Sequence, residues 1–237
     1  MKILINYADT RFIESQKLNS STGLNVGGFD RVISYGRKDI DEPFYQQNKS
    51  ILDSRRGAGY WLWKPYIILK ALEQSNNDDI IFYCDSGSYF IDSMKPLFKL
   101  LESQDIISFQ LEDFHVEKKW TKRDTFVLMG LDEPKYFDTP QRLGGFQLIR
   151  NSPFSLKFYR EYLAFAQNPQ IITDIPNQCG KPNYPEFKDN RHDQSIFSLL
   201  TKKYNLPAYR DLSQWGNYLI TPDSVYKQII NLTRDSK

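Results

Sequence analysis

Three polar clusters stand at the ends of apolar runs and carry residue types that handle charged substrates. The first closes the run IIFYC, residues 80–84, with Asp85, Ser86 and Gly87. Such a run reads as a central strand buried on both faces. In open α/β sheets ligands collect beyond the carboxyl ends of the strands, and Asp85 falls at such an end. A carboxylate left unpaired there is costly, so it requires donors or a cation. Mg²⁺ or Mn²⁺ with a diphosphate meets that need, because hard cations take oxygen from one or two carboxylates plus phosphate. Gly87 lets backbone come close to a ligand. The competing reading is an aspartate that only caps the turn after the strand.

The second cluster is RRGAGYWLWKP, residues 55–65. Arg56, Gly59 and Lys64 precede a helix N-terminus, a combination that holds phosphate through amides, dipole and cationic side chains. It is not a P-loop, since GxxxxGK[ST] is absent; a loop leading into a Trp-anchored core helix is the plainer alternative. The third is Arg191-His192-Asp193 at the start of a helix. Asp193 can stabilise that helix end, or act as a general base on a hydroxyl. His192 can meet a metal or a phosphate oxygen. No zinc spacing joins the cysteines and histidines, and no GxSxG elbow supports a serine hydrolase. Two further segments are candidates of lower weight. WTKRD (120–124) sets Lys122 and Arg123 beside a tryptophan, and QRLGGFQ (141–147) sets paired glycines before a strand. The first also reads as a solvated turn, the second as a tight one.

The elements that position these residues follow from periodicity. Strands are expected over 2–7, 31–35, 80–84, 105–110 and 145–150. Helices are expected over 43–52, 66–72 with Pro65 in the first turn, 94–102, 121–129, 153–166 behind a Ser152 cap, 192–204, and at the tail over 225–233. Residues 55–59 read as a flexible loop and 171–190, rich in Pro, Asn and Gly, as an irregular one. Strands alternating with helices through the first half predict an α/β fold with a largely parallel sheet.

Composition narrows the function. The 237 residues suit one domain, and a net charge of +2 lacks the basic face of a nucleic-acid binder. No signal peptide or spanning helix is expected. Cys84, inside an apolar run, reads as a buried free thiol, which fits a reducing cytoplasmic setting, peripheral membrane attachment included. Aromatics at 15% suit a packed core and also sugar rings.

Taken in order, RGAGYWLWKPYIILKAL, IIFYCDSGSYF, WTKRD, QRLGGFQLIR and RHDQSIFSLL resemble the GT-A glycosyltransferases of bacterial surface-polysaccharide synthesis and of large algal viruses. The resemblance runs from about residue 2 to about residue 200. It implies a single GT-A-like domain over 1–237 with a Rossmann-like sheet. A nucleotide-binding half would take about 1–110 and an acceptor half about 111–237. It implies a nucleotide-sugar donor, UDP-linked by family resemblance alone, a divalent metal (Mn²⁺ or Mg²⁺) and a glycan or glycoconjugate acceptor. Asp85 matches the metal-binding acidic motif, although Asp85-Ser86-Gly87 has Gly where a second Asp is expected. On this reading Asp85 acts through the metal and Arg56, Lys64 or Lys122 stabilises the departing diphosphate. Asp193 is the base, and Asp9, after the first strand, meets the nucleotide base or ribose. The alternatives are a sugar-nucleotide hydrolase or nucleotidyltransferase, and a non-catalytic carbohydrate-binding domain.

Overall fold

The computed structural model describes residues 1–213 and 226–233. Its strands in chain order are β1 (Lys2–Tyr7), β2 (Arg31–Tyr35), β3 (Ile80–Cys84), β4 (Ser88–Phe90), β5 (Ile106–Gln110), β6 (Arg142–Arg150), β7 (Ala208–Arg210) and β8 (Ile230–Leu232). Six of them form one sheet in the order β2-β1-β3-β6-β5-β7. β1 runs parallel to β2 and β3, and β5 runs parallel to β7. β6 is antiparallel to both its neighbours. The sheet is thus mostly parallel, as expected, with one reversed strand at its middle.

Period-two alternation sorts the side chains into two cores. Ile3, Ile5, Tyr7, Ile81 and Tyr83 face one side, where the helices Trp63–Gln74, Pro153–Ala166 and Asp193–Lys203 cover them. Leu4, Phe82, Cys84 and Leu148 face the other, packed on Phe29, Phe90 and Leu97. Each fully buried Ile, Leu or Phe contributes roughly 1.5–3 kcal/mol, so β3, buried from Ile81 to Cys84, is a rigid base for whatever follows it. Ser152 caps its helix as expected, accepting from the Ser155 amide at 3.1 Å. Cys84 and Cys179 are both free thiols.

Several elements depart from the sequence expectations. Ile13–Thr22 is a helix with almost no apolar face. It is held by buried polar contacts instead: Asn19 donates to the Ser88 carbonyl at 3.0 Å and accepts from Asn6 at 2.8 Å. The loop expected over 55–59 is part of a left-handed turn, with positive φ from Gly57 through Trp61. The tail expected to be helical is not: within 226–233, Ile230–Leu232 is a strand paired antiparallel with β4, while position 225 lies outside the described residues. Tyr226, Ile229 and Ile230 bury against the second core, and the β-branched Ile230 that opens the strand favours it. Among the described residues no helix is long and apolar enough to cross a membrane.

Candidate active site

β3 delivers Asp85 to the carboxyl end of the sheet, and the Asp85 amide is fixed by the Gly145 carbonyl of β6 at 2.9 Å. The helix Trp63–Gln74 contributes Lys64 from its first turn, and the helix Asp193–Lys203 contributes Asp193 as its first residue. The three side chains meet. The Lys64 ammonium lies 2.8 Å from an Asp193 oxygen and 3.5 Å from Asp85 Oδ1. The Tyr83 hydroxyl donates to the same Asp85 oxygen at 2.5 Å, and the Tyr162 hydroxyl donates to the Asp193 carbonyl at 3.0 Å. Side-chain exposure is 4% for Lys64 and 5% for Asp193 but 50% for Asp85. A buried ion pair is therefore wired to a carboxylate that opens outward.

Burial works against the Lys64 charge, but Asp193 and Asp85 outweigh it and hold the ammonium above its ordinary value. Burial pushes Asp193 upward, with Lys64 opposing and Asp85 reinforcing. The paired glycines explain this closeness. A Cβ at Gly145 would stand 2.7 Å from Asp85 Oδ2, and one at Gly144 would stand 3.3 Å from an Asp193 oxygen. They admit the two carboxylates, a packing reason that the sequence expectation of a close-lying ring did not include.

A cavity of about 310 Å³ opens over this group, lined in part by Arg56, Trp61, Arg191 and His192. Trp61 is held in the left-handed region at φ 59° and stacks on His192 with ring centroids 5.3 Å apart. His192 also has positive φ, 52°. Non-glycine residues in this region are strained, and such strain gathers at functional sites. His192 is 2% exposed and its Nδ1 meets the Ile172 carbonyl at 2.7 Å. Burial lowers its pKa; Nδ1 donates to that carbonyl, and Nε2, 3.9 Å from an Asp174 oxygen, has no hydrogen-bond partner among the described residues.

The cations of the cavity differ in availability. Arg56 is clasped by Asp174 at 3.0 Å and Asp189 at 2.7 Å. Arg191 lies flat over the Trp120 ring, 3.9 Å from its centroid, and donates to Gln141 at 3.2 Å. No carboxylate among the described residues ion-pairs with it. The sequence had placed Arg191 beside its neighbours without giving it a role; its position directly before His192-Asp193 was the available signal.

Other expected site residues stand elsewhere. Lys122 is buried, donating to the Ile175 carbonyl at 2.6 Å. With the Arg123 amide, which donates to Asn183 at 2.8 Å, it pins the 173–184 segment rather than lining the cavity. Gly59 has φ 105° and approaches Leu52, which a Cβ would meet at 2.8 Å, so it serves packing. The Ser86 hydroxyl is committed to the Tyr7 carbonyl at 2.6 Å, and the Gly87 carbonyl accepts the Thr233 amide at 2.9 Å. Asp9, beyond β1, closes on its neighbour Arg11 at 2.6 Å.

The expected divalent cation is judged by these donors. Gly87 offers no side chain, Ser86 is engaged, and Asp85 already faces Tyr83 and Lys64. Among the described residues no three His, Cys, Asp or Glu are grouped to hold a metal ion. The donor set does not fit a resident metal.

No family model matches the chain, and no curated protein is significantly similar to it in sequence. Solved structures are similar over nearly all of it. Mouse xyloside xylosyltransferase 1, in its apo form, is 10% identical, with 98% of this chain and 97% of that chain covered at a TM-score of 0.53. The galactosyltransferase LgtC, in complex with donor and acceptor sugar analogues, is 14% identical, with 99% and 87% covered at a TM-score of 0.50. The fold is that of a GT-A glycosyltransferase. Within this GT-A fold, the Lys64–Asp85–Asp193 group stands where ligands of α/β sheets gather.

Proposed function

We propose that the chain is a glycosyltransferase that moves a sugar from a nucleoside-diphosphate sugar, UDP-linked by resemblance, to a hydroxyl of a glycan or glycoconjugate acceptor. The observation that carries this reading is the outward-facing Asp85, backed by the buried Lys64–Asp193 pair, under a cavity walled by Arg191 and Trp61. The departing diphosphate gains negative charge, and preorganised cations stabilise it. Arg191 takes that task first because no carboxylate among the described residues forms an ion pair with it, and Arg56 assists only by sharing its charge with Asp174 and Asp189. Trp61 supplies aromatic wall against which a sugar ring can pack.

The proton-accepting role expected of Asp193 suits Asp85 better. A hydroxyl must come within hydrogen-bond reach of its base, and Asp85 is half-exposed whereas Asp193 is buried and gripped by Lys64. Asp193 then fixes Lys64, and Lys64 orients Asp85. Asp9 remains the contact for base or ribose, reached once Arg11 moves aside. The site draws on both expected halves, with Lys64 and Asp85 from the first and Arg191 and Asp193 from the second.

The test is mass-spectrometric detection of sugar transfer from a panel of UDP-sugars to a glycan acceptor library. Transfer that depends on both substrates is expected. Sugar release at the same rate with or without acceptor would instead identify a hydrolase, and sugar binding with no response to any nucleotide would identify a carbohydrate-binding domain.

A further inference from the structure

We infer that the resident cation of this site is the Lys64 ammonium, and that a nucleoside diphosphate binds here without a divalent metal. The inference rests on the nucleotide-sugar reading and deepens it. A dication bridging Asp85 and Asp193 would need oxygen ligands at about 2.0–2.6 Å. Lys64 Nζ already stands between those carboxylates, at 3.5 and 2.8 Å, so the two cations compete for one place. The lysine cannot swing clear as a surface lysine would. Its side chain is 4% exposed, rooted in a core helix, and flanked by the rings of Trp63 and Tyr83 at 5.9 and 5.2 Å.

Charge balance points the same way. The basic residues lining the cavity are Arg56, Lys64 and Arg191 and the acidic ones Asp85, Asp189 and Asp193, so by formal charge the wall has no negative surplus to draw in a dication. The Gly in place of a second Asp belongs to the same pattern. A site whose cation is covalently part of the chain needs one outward carboxylate rather than two.

The experiment compares thermal shifts of the full chain with a panel of nucleoside diphosphates, UDP first, in EDTA and in millimolar Mn²⁺. UDP should raise Tm equally in both, with an affinity unchanged within about twofold. A UDP shift that vanishes in EDTA and returns with Mn²⁺ overturns the inference. No shift with UDP, GDP, CDP, ADP or dTDP in either buffer overturns the nucleotide site itself, and the inference with it, and the two failures are thereby told apart. The variant arm is Lys64→Ala, which leaves Asp85 and Asp193 facing a vacated space. Its Tm should fall and be partly restored by Mn²⁺, whereas Mn²⁺ alone leaves the wild type unmoved. A wild type stabilised by Mn²⁺ alone contradicts the inference even if the variant does not fold.

Discussion

Two buried lysines serve the helix Asp193–Lys203 at its opposite ends, and they do different things. Near the C-terminal end, Lys202 pairs with Glu117 at 2.7 Å, and Glu117 is fully buried. Glu117 also accepts from Thr121 at 3.0 Å, from Gln141 at 3.1 Å and from the Ser198 hydroxyl. That cluster is closed: donors from several elements converge on one carboxylate, and none lines the cavity over Asp85. At the N-terminal end, Lys64 grips Asp193 but the chain of contacts continues to Asp85, half of which is open. Gln141 joins the two, donating to Glu117 and accepting from Arg191 and Gln194. A closed polar cluster spends its interactions on fixing the fold, while an open one leaves a charge with which to meet a substrate.

The comparison predicts that the closed cluster fails through stability and the open one through turnover. Glu117→Ala should have the largest effect, because it strands the buried Lys202 ammonium. Breaking a buried pair costs about 3–5 kcal/mol, or roughly 10 °C in Tm for a chain of this size. Turnover per folded molecule should hold; a matching loss of turnover in the folded fraction would erase the distinction. Asp85→Asn should do the reverse, moving Tm by no more than about 2 °C while lowering kcat/KM by about 100-fold or more. Steady-state kinetics beside a thermal melt decides it. Gly145→Ala comes next. Its Cβ would press on Asp85 Oδ2 from 2.7 Å, so kcat/KM should drop about tenfold for a stability loss of about 1 kcal/mol. An unaffected rate would mean that the position of Asp85 is not critical.

How far the sequence foretold this depends on the kind of force involved. β1, β2 and β3 lie where the apolar runs put them, since a strand buried on both faces announces itself by composition. The Ser152-capped helix is as legible, because cap and periodicity agree. The helix Ile13–Thr22 was invisible, being held by Asn19 rather than by an apolar stripe. β6 starts at Arg142, ahead of the expected position 145, because Arg142 pairs with Gln110 across a shift in register that the local pattern does not announce. In the site, Asp85, Lys64, Arg56, His192 and Asp193 were legible as polar residues at element ends. That Lys64 would stand between two carboxylates was not, because long-range convergence leaves no mark on local spacing. For the same reason spacing gave no sign that Lys122 stands against the 173–184 segment.

The smallest expected effect separates the two lysines by the sign of their pH dependence. Burial pulls Lys202 down more strongly than Glu117 restores it, so the folded chain gives up this proton before the unfolded chain does. As pH rises from that lowered value toward the ordinary lysine value of about 10.4, the unfolded state binds more protons and stability increases. For Lys64 burial acts likewise, but two carboxylates overcome it and the folded chain keeps the proton longer. Its contribution is therefore complete below the ordinary value and is lost as pH climbs through the raised one. Urea denaturation from about pH 8 to about pH 11, on wild type, Lys202→Met and Lys64→Met, isolates each term by difference. The wild type should gain on Lys202→Met across the window below the ordinary value. Against Lys64→Met it should hold a constant advantage there and lose it above. Slopes of the same sign would mean that the second carboxylate does not distinguish the open cluster from the closed one.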